Sequence, residues 1–203
     1  MAESTTRRAQ RQGPLDHLGL AARAAAAEEA GIRLCVMPHK SIVELRGAWS
    51  ADFARAVERL AGVAPPAASP ETATNNGTTV FWMGPDRWWL IGEESALPSP
   101  NEIRQTLAAF AASAVEIGDS FACIRLSGPH SRDVLAKGCT IDLHPRVFAP
   151  GAVVQTNLAK GQIALHQSGD SEFQIFIRRS FAEYLWTWLE DAGLEYGIAV
   201  DAA

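Results

Sequence analysis

Several absences narrow the field before any motif is read. No segment approaches the roughly 18 uninterrupted apolar residues that a membrane-crossing helix needs. The opening stretch, MAESTTRRAQRQGPLDHLGLAARAAAAEE, is basic but lacks the apolar centre of a secretion signal. No run of Lys and Arg exists either: 18 basic residues are scattered among 23 acidic ones, for a net charge of -5. Nucleic acid and anionic membranes both need concentrated positive charge, so neither is an expected partner. Cysteine is scarce. Cys35, Cys123 and Cys139 are odd in number and far apart, which fits reduced core thiols better than a disulfide framework and points to a cytoplasmic setting.

The motifs of self-contained nucleotide and acyl chemistry are also missing. No G-x-G-x-x-G follows a strand, and there is no phosphate-binding P-loop and no G-x-S-x-G elbow. His130, Ser131 and Asp133 have the residue types of a triad, but neighbours within one helical turn project in different directions and cannot align as base, nucleophile and orienter. Cys139 and His144 have no second Cys/His pair with which to complete a tetrahedral metal site; core packing for the thiol and a loop hydrogen bond for the imidazole are expected instead. His17, His39 and His166 stand isolated. Arg178 and Arg179, just before a helix, fit either a solvated strand end or a grip on a carboxylate or a partner's acidic group. Neither catalytic, cofactor-binding nor metal-binding residues are therefore expected in this chain.

What the sequence does contain is a repeat. Leu45-x-Gly47-x-x-Ser50-x-Asp52-Phe53 and Leu126-x-Gly128-x-x-Ser131-x-Asp133-Val134 share one frame, 81 residues apart. With 203 residues, 47% of them hydrophobic, the chain is long enough for two fused halves with a substantial core. Residues 1–30 read as an N-terminal tail and arm. Its Leu20 to Ala30 segment is helical in composition but buries mainly Ala, so a partner is expected to steady it. Residues 31–119 and 120–203 read as the two halves.

In the first half, Ile32 to Val36 and Ser41 to Arg46 flank Pro38-His39-Lys40 as an expected hairpin. Ser50 caps a helix carrying Phe53, Val57 and Leu60 and closed by Gly62. Residues 63–79 are expected to be a long polar loop prone to disorder. Val80 to Met83 and Arg87 to Ile91 form a second hairpin, and Ser99-Pro100-Asn101-Glu102 is a capping box. The second half repeats the plan: strand Phe121 to Leu126, helix Pro129 to Lys137, strands Val153 to Leu158, Gln162 to Gln167 and Phe173 to Ile177. A second capping box, Ser180 to Glu183, then precedes a helix with Phe181, Tyr184, Leu185, Trp188 and Leu189 on one face. The fold class is α+β, with duplicated ferredoxin-like βαββαβ units.

Adjacent Trp88 and Trp89 point to opposite faces of one strand, and Trp186 falls off the stripe of its helix. Either duplication packs sheet against sheet or helix and buries all three, or they mark a partner surface. Arg146 lies in a loop stiffened by Pro145 and Pro150. Trp88, His144, Arg146 and Trp186 are the candidate interface residues.

Arg125 to Phe148 (RLSGPHSRDVLAKGCTIDLHPRVF), with Pro150-Gly151, Gln155-Thr156, RSFAEYLWTWL (Arg179 to Leu189) and Glu195-Tyr196-Gly197, resembles the gamma subunits of heterotetrameric sarcosine oxidases. Gly13 to His17, Arg46-Gly47 and Asp86 to Ile91 resemble the N-terminal half of the same family, so the resemblance spans about residues 13 to 198. It implies the folate-binding fold of glycine-cleavage T-protein, itself built on duplicated ferredoxin-like units. It also implies an accessory chain in a complex with alpha, beta and delta subunits. The large subunits of such oxidases carry FAD, FMN and NAD, demethylate sarcosine to glycine with release of hydrogen peroxide, and pass the one-carbon unit to tetrahydrofolate. The gamma chain is not known to bear flavin, and no catalytic residue transfers to this sequence. The alternatives are a stand-alone, folate-binding aminomethyltransferase-like protein and a scaffold. Lys137-Gly138-Cys139 is similar to the start of the K-G-C-Y-x-G-Q box of iron-sulfur-repair relatives, but continues as Thr140-Ile141-Asp142 without the Tyr or the Gly-Gln.

Overall fold

The computed structural model describes residues 11–23, 29–93 and 95–201. Residues 1–10 of the expected tail and 24–28 of the expected N-terminal helix lie outside them. In chain order the elements are α1 (Leu20–Arg23), β1 (Ile32–Val36), β2 (Ser41–Arg46), α2 (Ala51–Ala61), β3 (Thr72–Asn75), β4 (Thr78–Gly84), β5 (Arg87–Gly92), α3 (Pro100–Thr106), β6 (Ser113–Glu116), β7 (Phe121–Ser127), α4 (Ser131–Ala136), β8 (Val153–Leu158), β9 (Gly161–Gly169), β10 (Glu172–Arg178), α5 (Ala182–Gly193) and β11 (Ile198–Asp201). None of the helices among the described residues is long and apolar enough to cross a membrane.

The strands form two sheets, one ordered β11-β1-β7-β10-β9-β8 and the other β3-β4-β5-β2-β6. In the smaller sheet, β6-β2-β5-β4 is the antiparallel order of a split βαβ unit, with β3 added at the edge. The larger sheet repeats it through β7-β10-β9, but the position beside β7 is taken by β1, antiparallel to it, and β11 lies outside, parallel to β1. The expected hairpin of Ile32 to Val36 with Ser41 to Arg46 is thus absent: β1 and β2 enter different sheets. The apolar patterns of the two strands identified strands but not their partners. Residues 31–119 consequently contribute one strand to the sheet built otherwise from residues 121–201.

Residues 63–79 differ from the expected loop in a second way. Asn76 and Gly77, with φ of 47° and 81°, make the two-residue turn between β3 and β4 that an Asn-Gly pair favours. Pro65 and Pro66 are buried, and the Pro66 carbonyl accepts a 2.9 Å hydrogen bond from Trp88 Nε1. Asn75 Nδ2 donates to the Gly62 carbonyl at 2.6 Å. Burial and backbone pairing offset the ordering entropy that a free polar loop would keep.

Three apolar layers result. On the outer face of the smaller sheet, Phe53 and Val57 from α2, Ile103 from α3 and Leu107 just after it cover Leu45, Trp88 and Leu90. On the outer face of the larger sheet, Val134, Leu135, Leu185, Trp186 and Leu189 from α4 and α5 cover Leu34, Ile124, Leu126 and Ile175. Between the sheets lie Phe81, Trp89, Phe176, Met83 and Cys123. Trp89 meets Phe121 at 4.8 Å between ring centroids, and Phe81 meets Phe176 edge-on at 5.5 Å.

His166 shares the middle layer, its ring 4.8 Å from that of Phe81 and its Nδ1 buried without a hydrogen bond among the described residues. Desolvation holds it below the ordinary histidine range, opposed by a hydrogen bond with Gln174 and the charge of Glu172.

The repeated frame is strand, turn and helix in both copies, yet its residues serve different contacts. Ser50 Oγ accepts from Phe53 N at 3.0 Å as a helix cap, whereas buried Ser131 Oγ donates to the Ser171 carbonyl at 3.3 Å. Gly128 has φ of +111°, and a Cβ there would lie 2.6 Å from the Gly31 carbonyl oxygen. The Ser99–Glu102 capping box is formed in full. At Ser180 to Glu183 it is not: a 3-10 turn, Arg179–Phe181, leads into α5 with no side-chain cap, and Glu183 faces His17 at 3.2 Å.

That contact belongs to the N-terminal arm, whose described residues 11–23 also touch the rest of the chain elsewhere. Leu15 is buried in the core beneath α4 and α5, and Arg23 pairs with Glu190 on α5. At the other terminus, Asp201 receives Arg33 Nη2 at 2.6 Å and Arg125 Nη2 at 3.4 Å, fastening β11 to β1 and β7.

Two outcomes are expected. Gly128→Ala should cost about 2 kcal/mol or more, from a disfavoured φ plus a backbone clash. Gly77→Ala, with positive φ but open space, should cost only about 1 kcal/mol; urea unfolding of both variants measures the gap. For His166, the unfolded chain binds a proton below about pH 6.5 that the folded chain resists. Stability therefore falls as pH drops from 7 towards 5, and His166→Leu should flatten that dependence in the urea midpoint. Equal slopes would assign the loss to other groups.

Candidate partner interface

The structure separates the four candidate interface residues into two groups. Trp88 and Trp186 are both 0% exposed, so neither can meet a partner. Duplication decides this. Trp88 points to the helices and meets Phe53 in a tilted ring contact at 5.4 Å, while Trp89 points to the other sheet, so both faces of β5 are covered. On α5 the face against the sheet is Ala182, Leu185, Trp186, Leu189, Ala192 and Gly193. A Cβ on Gly193 would stand 2.3 Å from Ile32 Cδ1, so a larger residue there would require the Ile32 side chain to shift. Phe181 and Tyr184, expected inside, are instead 45% and 39% exposed.

His144 and Arg146 are exposed, and the segment that carries them is firmly built. Leu143 and Phe148 are buried anchors at its two ends. Phe148 stacks parallel to Phe173 at 6.5 Å, and Arg132 caps the other side of that arrangement, with Cζ 5.1 Å from the Phe173 ring and a hydrogen bond to the Leu143 carbonyl. Just before the first anchor, Asp142 Oδ1 accepts from His144 N at 2.8 Å. The His144 ring accepts from Arg146 N at 3.2 Å through Nδ1, and its carbonyl accepts from Val147 N at 2.8 Å. His144 therefore shapes the turn, and the turn holds Arg146 and Val147 outward; Val147 is 60% exposed. Arg146 has no carboxylate partner among the described residues. An exposed valine beside an unpaired guanidinium on a pre-ordered loop is suited to protein association, because little entropy is lost on docking.

Val147 escapes a sequence reading because an apolar residue after Pro-Arg looks like the start of a strand. Only Phe148, one residue later, turns inward. Trp49 is a further outward aromatic, 43% exposed over Trp88 at 5.9 Å.

The other groups form no reactive constellation. His130 Nδ1 lies 2.8 Å from Asp133 Oδ2, and the imidazole stacks on Tyr196 at 4.5 Å, but Ser131 is buried and bonded to backbone. Burial pushes the Cys123 thiol up to about 12 and the Cys139 thiol up to about 11, so neither is a thiolate at neutral pH. No group of His, Cys, Asp and Glu among the described residues could hold a metal ion.

Three comparisons bear on this arrangement. A family model described as the sarcosine oxidase, gamma subunit family matches residues 46–195. The sarcosine oxidase subunit gamma of Corynebacterium sp. (strain U-96) is 31% identical over 191 residues, covering 93% of each chain. A solved chain of the heterotetrameric sarcosine oxidase from Corynebacterium sp. U-96, in complex with pyrrole 2-carboxylate, superposes with a TM-score of 0.82 at 30% identity, over 93% of this chain and 97% of that one. The glycine cleavage system aminomethyltransferase T from Bartonella henselae superposes at 0.61 with 14% identity, covering 93% of this chain and 51% of that one, a likeness of fold alone.

If the loop is a display rather than a core element, its anchors and its tip respond differently to truncation. Phe148→Ala should lose about 3 to 5 kcal/mol of stability, and Arg146→Ala no more than about 0.5 kcal/mol. Urea unfolding of the two variants measures both.

Proposed function

The chain belongs to the sarcosine oxidase gamma subunit family, and from that premise we propose that it is the accessory gamma chain of a heterotetrameric oxidase of sarcosine or a related N-methyl amino acid. The observation that carries this reading is its correspondence, almost end to end, with one chain of such a tetramer. The family fixes the type of complex more closely than it fixes the amine, since substrate choice would rest in a different chain.

In this reading the partners are the alpha, beta and delta subunits, in the cytoplasm. FAD, FMN, NAD and tetrahydrofolate are expected on the assembled complex and none of them on this chain, whose sequence holds no dinucleotide or phosphate fingerprint. Oxidative demethylation of the amine and transfer of the one-carbon unit to tetrahydrofolate would then take place on the large subunits. The contribution of this chain would be structural: a rigid double-sheet body that presents a preformed loop to a large subunit. Arg146 would pair with a carboxylate of the partner, Val147 would bury against an apolar patch, and His144 would hold the turn that aims them.

Co-expression with the genomic neighbours, followed by size-exclusion chromatography with flavin absorbance, tests the proposal. A yellow complex that retains this chain and makes peroxide from sarcosine or another N-methyl amino acid is expected. Arg146→Glu with Val147→Asp should release the chain while its own urea midpoint stays unchanged, since both side chains are exposed. A colourless monomer that binds tetrahydrofolate would overturn the proposal in favour of a stand-alone folate protein. A complex that retains the double variant would remove the loop from the interface.

A further inference from the structure

The N-terminal arm leaves a space beneath it. Where β1, β7 and β10 end, a cavity of about 620 Å³ opens between the arm and the larger sheet. Leu15, Leu20 and Ala22 line it from the arm; Val36, Phe121 and Phe176 line it from the sheet. The volume and the mainly apolar wall are those of a small-molecule site. It shares no residue with the loop of residues 142–150.

The charged groups on the wall are mostly satisfied within the protein. Arg11 lies 3.4 Å from Asp119, and Lys40 pairs with Glu93. Asp201 is bridged by Arg33 and Arg125, and Asp16 accepts from Gly13 N at 2.7 Å. Arg179 is the exception. Its Nη2 donates to the Gln12 carbonyl at 2.6 Å, and no carboxylate pairs with it among the described residues. Its exposed guanidinium therefore stands at the mouth of an apolar cavity with donors to spare and no counter-charge among the described residues.

We propose that this cavity binds a small amphipathic carboxylate, its apolar body lying between the arm and Phe176 and its carboxylate on Arg179. A planar guanidinium matches a carboxylate with two parallel hydrogen bonds, and one such group suits a monoanion. The apolar wall selects a hydrocarbon or aromatic body over a sugar or a nucleotide, whose many hydroxyls would be left unpaired there. Because the arm roofs the cavity, the occupant is a slender molecule rather than a protein helix. The arm is held in place by Leu15, by the Arg179 bond and by the pairs His17–Glu183 and Arg23–Glu190.

Calorimetric titration of the full-length chain with decanoate, and with decanol as its uncharged counterpart, tests the assignment. Decanoate should bind at least about tenfold more tightly than decanol, the effect of one charge-assisted pair. Arg179→Met should bring decanoate to the affinity that the same variant shows for decanol, removing the difference between the two ligands; Arg179→Gln gives the same reading if the first variant does not fold. Ala22→Trp, at an exposed position on the arm, should fill the space and weaken both ligands. No binding of decanoate at millimolar concentration, equal affinity for the two ligands, or full decanoate affinity in the Arg179 variants would each overturn the proposal.

Discussion

A sheet covered by helices on one side has a second face that must also leave water, and here the second face of each sheet is buried by the other. Phe81, Trp89 and Phe176 form the centre of that contact, with ring centroids 5.5 Å apart for Phe81 and Phe176 and 6.4 Å for Trp89 and Phe176. Each of these rings removes a large apolar area from water, and their edge-on geometry fixes how the sheets sit. Everything outside this layer follows from it. Both tryptophans of β5 are interior, both helical pairs face outward, and the surface left for other molecules is confined to loops, sheet ends and the N-terminal arm.

The same contact explains why β1 leaves its sequence neighbour. The larger sheet has room beside β7, and β1 fills it with Leu34 facing the helices and Cys35 facing the other side. β11 then pairs with β1, and the Asp201 bridge to Arg33 and Arg125 closes that edge. Within this frame Gly31, Gly128 and Gly193 mark where backbone meets backbone or side chain without room for a Cβ. A chain whose first strand is stitched between later strands couples its two halves.

Some of this was legible in the residues. The Leu-x-Gly-x-x-Ser-x-Asp frame marks two strand-turn-helix units, and Ser50 and the Ser99–Glu102 box mark true helix starts, because caps and turns are local interactions between residues a few positions apart. The Asn76-Gly77 pair carries the same kind of local signal for the β3–β4 hairpin, but the polar composition of residues 63–79 led to the expectation of a loop instead. The face of α5 was less legible. Its large aromatics suggest a stripe through Phe181 and Tyr184, but the inward face is that of Ala182, Leu185, Trp186 and Leu189. Of the candidate interface, His144 and Arg146 stand where two flanking prolines suggest a stiff, exposed turn, whereas Trp88 and Trp186 are core.

By itself the sequence determined most of the elements, though not β3 within the expected loop, together with the duplication and the family, since each rests on local periodicity, capping chemistry or matched motifs. Strand partners, the burial of Trp88, Trp89 and Trp186, the outward turn at Arg146 and Val147, and the cavity beneath the arm were decided only in the tertiary structure. The physical reason is that these depend on which distant surfaces meet. An apolar residue must be buried, but its own neighbours in the chain do not specify against what. That choice is made when two sheets close on a shared aromatic layer and the remaining segments take the places left over.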